Sequence, residues 1–232
     1  MSTIAENLET VRQRVAAAAG RSGRKPGDVE LLVVSKTFPA EVVREAADAG
    51  QTLFGENKVQ ELLAKIPLLP SSLRWHLIGH LQSNKVRKVL PFVEAIHSVT
   101  SLDLAKDINR IAGELGLFPK VYLEINVGAE ASKFGFDAKS VCGQLEELYK
   151  LDRLFIQGLM CIPPFAPEVE KSRPYFAGLR ELRDKLEKLG GAPLPKLSMG
   201  MSHDFEIAVE EGATIVRVGS AIFGSRAVPQ PQ

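Results

Sequence analysis

The sequence has little cysteine: two residues in 232, Cys142 and Cys161, at a spacing that fits neither a metal-binding pair nor a disulfide framework. Both are expected as ordinary, half-buried residues. It has almost no net charge, 29 Lys and Arg against 28 Asp and Glu, so no basic field exists to drive sequence-independent binding of nucleic acid. No apolar run approaches the roughly 20 residues that cross a bilayer. The N-terminus carries Glu6 and Glu9, acids that secretory and transit peptides avoid. A cytoplasmic protein with neither nucleic acid nor membrane as partner is expected. What the chain does have is apolar mass. At 45% hydrophobic residues, it can fill one barrel-sized core better than two small ones.

Residues 3–19 place Ile4, Leu8, Val11 and Val15 at helical spacing, with Gly20 as a natural stop, so an amphipathic helix opens the chain. From residue 29 onward, short apolar runs alternate with helical patterns of about ten to fifteen residues, the signature of βα units around a parallel sheet. The runs fall at 29–36, 52–57, 74–79, 95–99, 120–127, 155–162, 196–202 and 214–219. Eight strands, most followed by a helix, predict a single (β/α)₈ barrel of the TIM type with an extra N-terminal helix. The helices carry punctuation: Pro39 opens one that Gly50 ends, while Gly116, Gly190 and Gly212 close three others. Pro174 belongs at the start of a long helix, since inside it would cost about 3 kcal/mol. Residues 1–226 are expected to form one domain, and the polar, proline-rich residues 227–232 a disordered tail.

Function in such barrels gathers where strands end and loops begin. The first strand is apolar until Lys36, and alternation puts Leu32, Val34 and Lys36 on one face. Lys36 either leaves the core for solvent or points its amine into the barrel mouth, where desolvation would favour a free amine able to attack a carbonyl. On the last strand Ile215 and Arg217 share a face, so Arg217 is held near the axis, for a structural ion pair or for a ligand. Gly219 and Ser220 lead into Ala221-Ile222-Phe223-Gly224, one possible turn of helix whose free N–H groups can bind an anion where barrels often hold phosphate. Ser202 ends the seventh strand, either as N-cap of a helix expected over 203–211 or as a hydroxyl facing that phosphate. Asp204 and Glu206 would repel a phosphate and must point away. Asn57 reaches the rim after the second strand. His76 and His80 on the third are more simply structural.

These segments taken together, Val33-Val34-Ser35-Lys36, Phe54-Gly55-Glu56-Asn57, the run from His76 to Lys85, the run from Ser198 to Asp204, and Arg217-Val218-Gly219-Ser220, resemble the pyridoxal-phosphate homeostasis protein family over essentially the whole chain. The resemblance implies a barrel like the N-terminal domain of alanine racemase and pyridoxal 5′-phosphate (PLP) held as a covalent aldimine on Lys36. It implies that Arg217 faces the pyridine nitrogen, that Ser202, Gly219 and Ser220 bind the phosphate, and that Asn57 and Met201 flank the ring. It further implies a carrier that buffers PLP or delivers it to apo PLP-dependent enzymes, without established catalysis; a monomer is expected.

The residues agree with that modest role. An arginine beside the pyridine nitrogen disfavours its protonation and weakens the ring as an electron sink. Racemization also needs a base opposite the lysine. Tyr149 and Tyr175 fall on outer helices, and Tyr122 lies too deep on the fifth strand. A weak PLP-dependent amino-acid racemase is the alternative; a barrel enzyme acting on a phosphorylated sugar is a third.

Overall fold

The computed structural model describes residues 2–128 and 134–224; the tail expected over 227–232 lies outside the described residues. Helix α1, Ile4–Arg21, begins on a capping box in which Thr3 Oγ accepts from the Glu6 N–H at 3.2 Å and the Glu6 carboxylate accepts from the Thr3 N–H at 2.8 Å. It runs through Gly20, contrary to the expected stop. Glycine is tolerated inside a helix at about 1 kcal/mol, and the positive φ that turns the chain falls instead on Gly23, at 71°. Leu8, Val11 and Val15 are buried on the inner face, which packs on three other helices described below.

The barrel follows as β1 (Glu30–Val34), α2 (Ala40–Asp48), β2 (Leu53–Glu56), α3 (Val59–Lys65), β3 (Arg74–Leu77), α4 (Ser83–Val89), β4 (Ala95–Val99), α5 (Leu102–Leu115) and β5 (Lys120–Ile125). It continues as α6 (Ser140–Tyr149), β6 (Phe155–Cys161), α7 (Arg173–Gly190), β7 (Lys196–Met201), α8 (Phe205–Glu210), β8 (Ile215–Val218) and α9 (Ser220–Phe223). All eight strands pair in parallel in sequence order, and β1 closes on β8 with Leu32 beside Arg217. The expected (β/α)₈ barrel with an added N-terminal helix is what the chain forms. Helix α1 rests against α2, α8 and α9. Pro174 sits in the first turn of α7, as its cost in mid-helix requires, whereas Pro39 precedes α2 as its N-cap.

Among the described residues two apolar cores result. The larger lies between sheet and helices; the smaller, containing Leu32, Val34, Leu53, Ile78, Tyr122 and Met160, fills the barrel. Alternation therefore sends Leu32, His76, Tyr122 and Ser198 inward from the odd strands, and Gly55, His97, Met160 and Arg217 inward from the even ones. Gly55 is required there, because a Cβ would meet Leu32 Cδ2 at 2.3 Å. The N-terminal end of the barrel is closed by ion pairs: Arg74 reaches Glu94 at 2.6 Å and Glu30 at 3.1 Å, and Lys120 reaches Glu94 at 2.8 Å. These bonds, Arg74's above all, hold the Glu94 carboxyl down at about 2.

Candidate functional site

The C-terminal ends of β1, β2, β7 and β8 surround a cavity of about 300 Å³. All seven residues singled out in the sequence line it: Lys36, Asn57, Met201, Ser202, Arg217, Gly219 and Ser220. Val34, Ile78, Phe38 and Ile162 supply apolar walls, and His203 and Gly224 complete the lining.

Lys36 lies two residues beyond β1, half-buried, in a turn. The turn is strained, since the β-branched Thr37 has φ 70°. A polar anchor holds the segment. The Thr37 N–H donates to Glu61 at 2.9 Å, and behind the strand Lys65 donates to the Ser35 carbonyl at 2.8 Å and to Glu56 at 2.5 Å. The Ser35 hydroxyl donates to the same Glu56 oxygen at 2.7 Å. Burial raises the Glu56 carboxyl, opposed by its bonds with Lys65 and Ser35. Asn57 is positioned by close backbone contact: a Cβ on Gly79 would meet Asn57 O at 2.3 Å and Asn57 Cα at 2.6 Å. Only glycine lets the chain pass Asn57 so closely after β3.

Arg217 is 4% exposed. Its Nη1 donates to the Ser198 carbonyl and to Ser198 Oγ, both at 2.7 Å, and its Nη2 donates to the Cys161 carbonyl at 2.9 Å. Each of these acceptors is neutral, so among the described residues the structural ion pair weighed for Arg217 does not form, and burial lowers its pKa. Cys161, expected to be half-buried, is wholly buried, because its side chain faces the larger core between sheet and helices while its carbonyl serves this arginine. Glu124, inward on β5 and mostly desolvated, has its carboxyl pushed up to about 7 by burial.

Ser202 does not cap the following helix. That helix, α8, starts at Phe205 rather than at 203; Asp204 occupies the N-cap position and accepts from the Met201 N–H at 2.7 Å. Ser202 Oγ instead accepts from the backbone N–H groups of Gly219 at 3.2 Å and Ala221 at 3.3 Å. These long bonds draw two donors at the start of α9 toward one point, a cup suited to an anion oxygen. Gly219 lets the backbone come close, since a Cβ there would lie 3.1 Å from Val34 O. The two acids point away as charge demands, Asp204 into its backbone bond and Glu206 onto Arg14 at 2.8 Å.

Sequence reasoning missed Phe38, Ile78, Ile162 and His203 as lining residues, and the buried His97, whose Nδ1 lies 2.8 Å from Ser198 Oγ. Strand ends advertise themselves by where an apolar run stops. A polar residue in mid-strand shows itself only through alternation, here His97 two residues from Ala95 on the inward face.

A strand-end lysine, a cation held by neutral acceptors and a backbone anion cup define a barrel of the alanine racemase N-terminal type, and the family model for that domain matches residues 2–227. The chain is 45% identical over 222 residues to the pyridoxal phosphate homeostasis protein of Aquifex aeolicus, covering 95% of this chain and 97% of that one. It is 41% identical over 240 residues to that of Escherichia coli K12, covering 97% of this chain and 98% of that one. This chain belongs to the pyridoxal phosphate homeostasis protein family. PipY of Synechococcus elongatus PCC7942, solved without PLP and with PLP bound, matches it at 40% identity over 96% of this chain and 100% of that one, with TM-scores of 0.87 and 0.84. Alanine racemase of Clostridium difficile 630 shares the fold at 18% identity and a TM-score of 0.70, over 96% of this chain and 58% of that chain.

Proposed function

We propose that this protein is a carrier of pyridoxal 5′-phosphate, holding the cofactor in the barrel mouth and releasing it to apo-enzymes that depend on it. The observation that carries the reading is the convergence of Lys36, Asn57, Met201, Ser202, Arg217, Gly219 and Ser220 on one cavity. The residues fit the group. The Gly219 and Ala221 N–H groups, held only by long bonds to Ser202 Oγ, are placed to turn to a phosphate oxygen, and a guanidinium in contact with no counter-ion among the described residues suits the lone pair of a pyridine nitrogen. Lys36 is the covalent anchor, Asn57 and Met201 flank the ring, and Ser202, Gly219 and Ser220 take the phosphate. Bound, the cofactor supplies an aldehyde carbon that combines with primary amines and a ring that draws electrons.

The chain's own residues favour carriage over turnover. Arg217 keeps positive charge where an acid would be needed to protonate the ring nitrogen. Tyr122 is 3% exposed, packed 4.2 Å from the His97 ring, with its hydroxyl pushed above its usual range by burial. One observation supports the second reading, a weak racemase: His203 lines the mouth. Its Nε2 lies 3.0 Å from the Ala166 carbonyl, and its ring packs on Phe165 at 5.4 Å, contacts that tie the imidazole to the rim.

A single domain over 1–226, a monomeric state and a cytoplasmic location belong to the same proposal. The test is transfer. PLP-loaded protein mixed with an apo-aminotransferase should restore its activity, while α-proton exchange of common amino acids in deuterated water should stay at the level of free PLP. Rapid exchange with one amino acid, lost in Lys36→Ala, would establish the racemase instead.

A further inference from the structure

Arg217 stands at one end of a hydrogen-bonded chain that runs down the barrel interior. A guanidinium donates and never accepts, and the one hydrogen of the buried Ser198 hydroxyl has, among the described residues, no partner that can accept it other than His97 Nδ1, so satisfying that hydrogen sets the sense of each later bond. Ser198 Oγ accepts from Arg217 Nη1 at 2.7 Å, and its own hydrogen goes to His97 Nδ1 at 2.8 Å. With Nδ1 accepting, neutral His97 carries its hydrogen on Nε2, which faces His76 Nδ1 at 2.9 Å. His76 in turn carries its hydrogen on Nε2, directed at Glu94 Oε2 4.0 Å away and without a protein hydrogen-bond partner. Ser198, His97 and His76 are each no more than 3% exposed. Burial keeps both rings uncharged, His76 down at about 4 and His97 well below its usual value.

As far as His76 the chain offers acceptors and no negative charge, the Glu94 carboxylate standing 4.0 Å beyond its far end. A carboxylate in place of Ser198 would hold the guanidinium equally well and neutralise it. Here the nearby acids, Glu124 and Asp204, make no hydrogen bond to Arg217. We propose that Ser198, His97 and His76 are positioning residues for Arg217, a one-directional relay that fixes the guanidinium in its plane through neutral acceptors and leaves its whole charge facing the mouth. The consequence for PLP rests on the reading that Arg217 meets the ring nitrogen; the relay itself does not.

The experiment has two arms, so that the two can fail separately. In the first, the full-length protein labelled with ¹⁵N-histidine is observed by NMR at neutral pH without cofactor. His97 and His76 should both be neutral with the proton on Nε2; a proton on Nδ1 of either ring overturns the relay. This arm needs no substitution and is indifferent to folding defects. In the second, protein loaded with PLP ¹⁵N-labelled at the ring is compared with Ser198→Ala, His97→Leu, His97→Asn and Arg217→Gln. Ser198→Ala and His97→Leu should move the ring-nitrogen signal and the visible absorbance maximum in the direction of Arg217→Gln, and weaken PLP by about tenfold. His97→Asn, whose Oδ1 can stand where Nδ1 stood, should restore most of both. A signal that moves in Arg217→Gln and stays fixed in Ser198→Ala and His97→Leu overturns the positioning role. A signal unmoved by Arg217→Gln overturns the reading of Arg217, whatever the tautomers show.

Discussion

Gly79→Ala tests how tightly the barrel positions Asn57. The added Cβ would lie 2.3 Å from Asn57 O, 2.6 Å from its Cα and 2.8 Å from its carbonyl carbon, all backbone atoms that cannot rotate away. Restoring a contact of about 3.0 Å requires the ends of β2 and β3 to part by roughly 0.7 Å. The Gly79 carbonyl is pinned by the Ser98 hydroxyl at 2.6 Å, so most of that movement falls on Asn57. Overpacking of this kind costs about 1–3 kcal/mol, or about 3–10 °C in Tm for a domain of this size. On the proposed reading, in which Asn57 flanks the ring, displacing it by up to about 0.7 Å should weaken PLP by roughly tenfold or more. Apo-protein is titrated with PLP and followed by absorbance, and unfolding is followed by circular dichroism. Gly143→Ala is the control: it lies inside α6 with nothing within 4 Å, so binding should be unchanged and stability the same or up to about 1 kcal/mol higher. Wild-type affinity in Gly79→Ala would refute the reasoning, because the strand ends would then separate without moving the site.

Three other expectations follow from the same geometry. Lys36→Ala should abolish the visible absorbance of lysine-bound PLP while the phosphate cup still retains the cofactor non-covalently; an unchanged band moves the anchor to another lysine. Ser202→Ala should weaken PLP by about 1–3 kcal/mol and leave phosphate-free pyridoxal unaffected, measured by paired titrations; equal losses would confine Ser202 to bracing the α9 backbone. Glu94, held at about 2 against an ordinary 4.5, stabilises the folded state above pH 4.5 and loses that contribution as pH falls toward 2. Urea midpoints of Glu94→Gln should therefore lie below wild type at pH 7 and converge with it between pH 4.5 and 2, and a gap that does not change with pH would contradict the assignment.

The barrel was legible because each strand is a short apolar run bounded by turn residues, and period-two alternation then assigns Leu32, Ile215 and Arg217 to the interior. The site was legible because its residues stand where those runs end. Boundaries were less so. Gly20 looked like a helix stop, yet nothing lies within 4 Å of it and the chain turns at Gly23. Ser202 looked like a cap for the helix after it; its hydroxyl instead serves backbone groups 17 and 19 residues later in the chain. No local pattern carries a partner so far along the chain. The same holds for Ser198 and His97, joined across 101 residues, since cross-barrel bonds depend on strand tilt and register and not on spacing.

The seam between β1 and β8 has a consequence for the life of the molecule. Leu32 pairs with Arg217 and Val33 with Val218, so the lysine that follows β1 meets the arginine of β8 only when the last strand has closed the sheet. Asn7 of α1 then donates to the Ile222 carbonyl at 2.9 Å, fastening the first helix to the turn behind the anion cup. A nascent chain on the ribosome therefore carries Lys36 nearly two hundred residues before Arg217, Gly219 and Ser220 complete the cavity. On the proposed reading of the site, loading therefore follows synthesis and closure of the last strand.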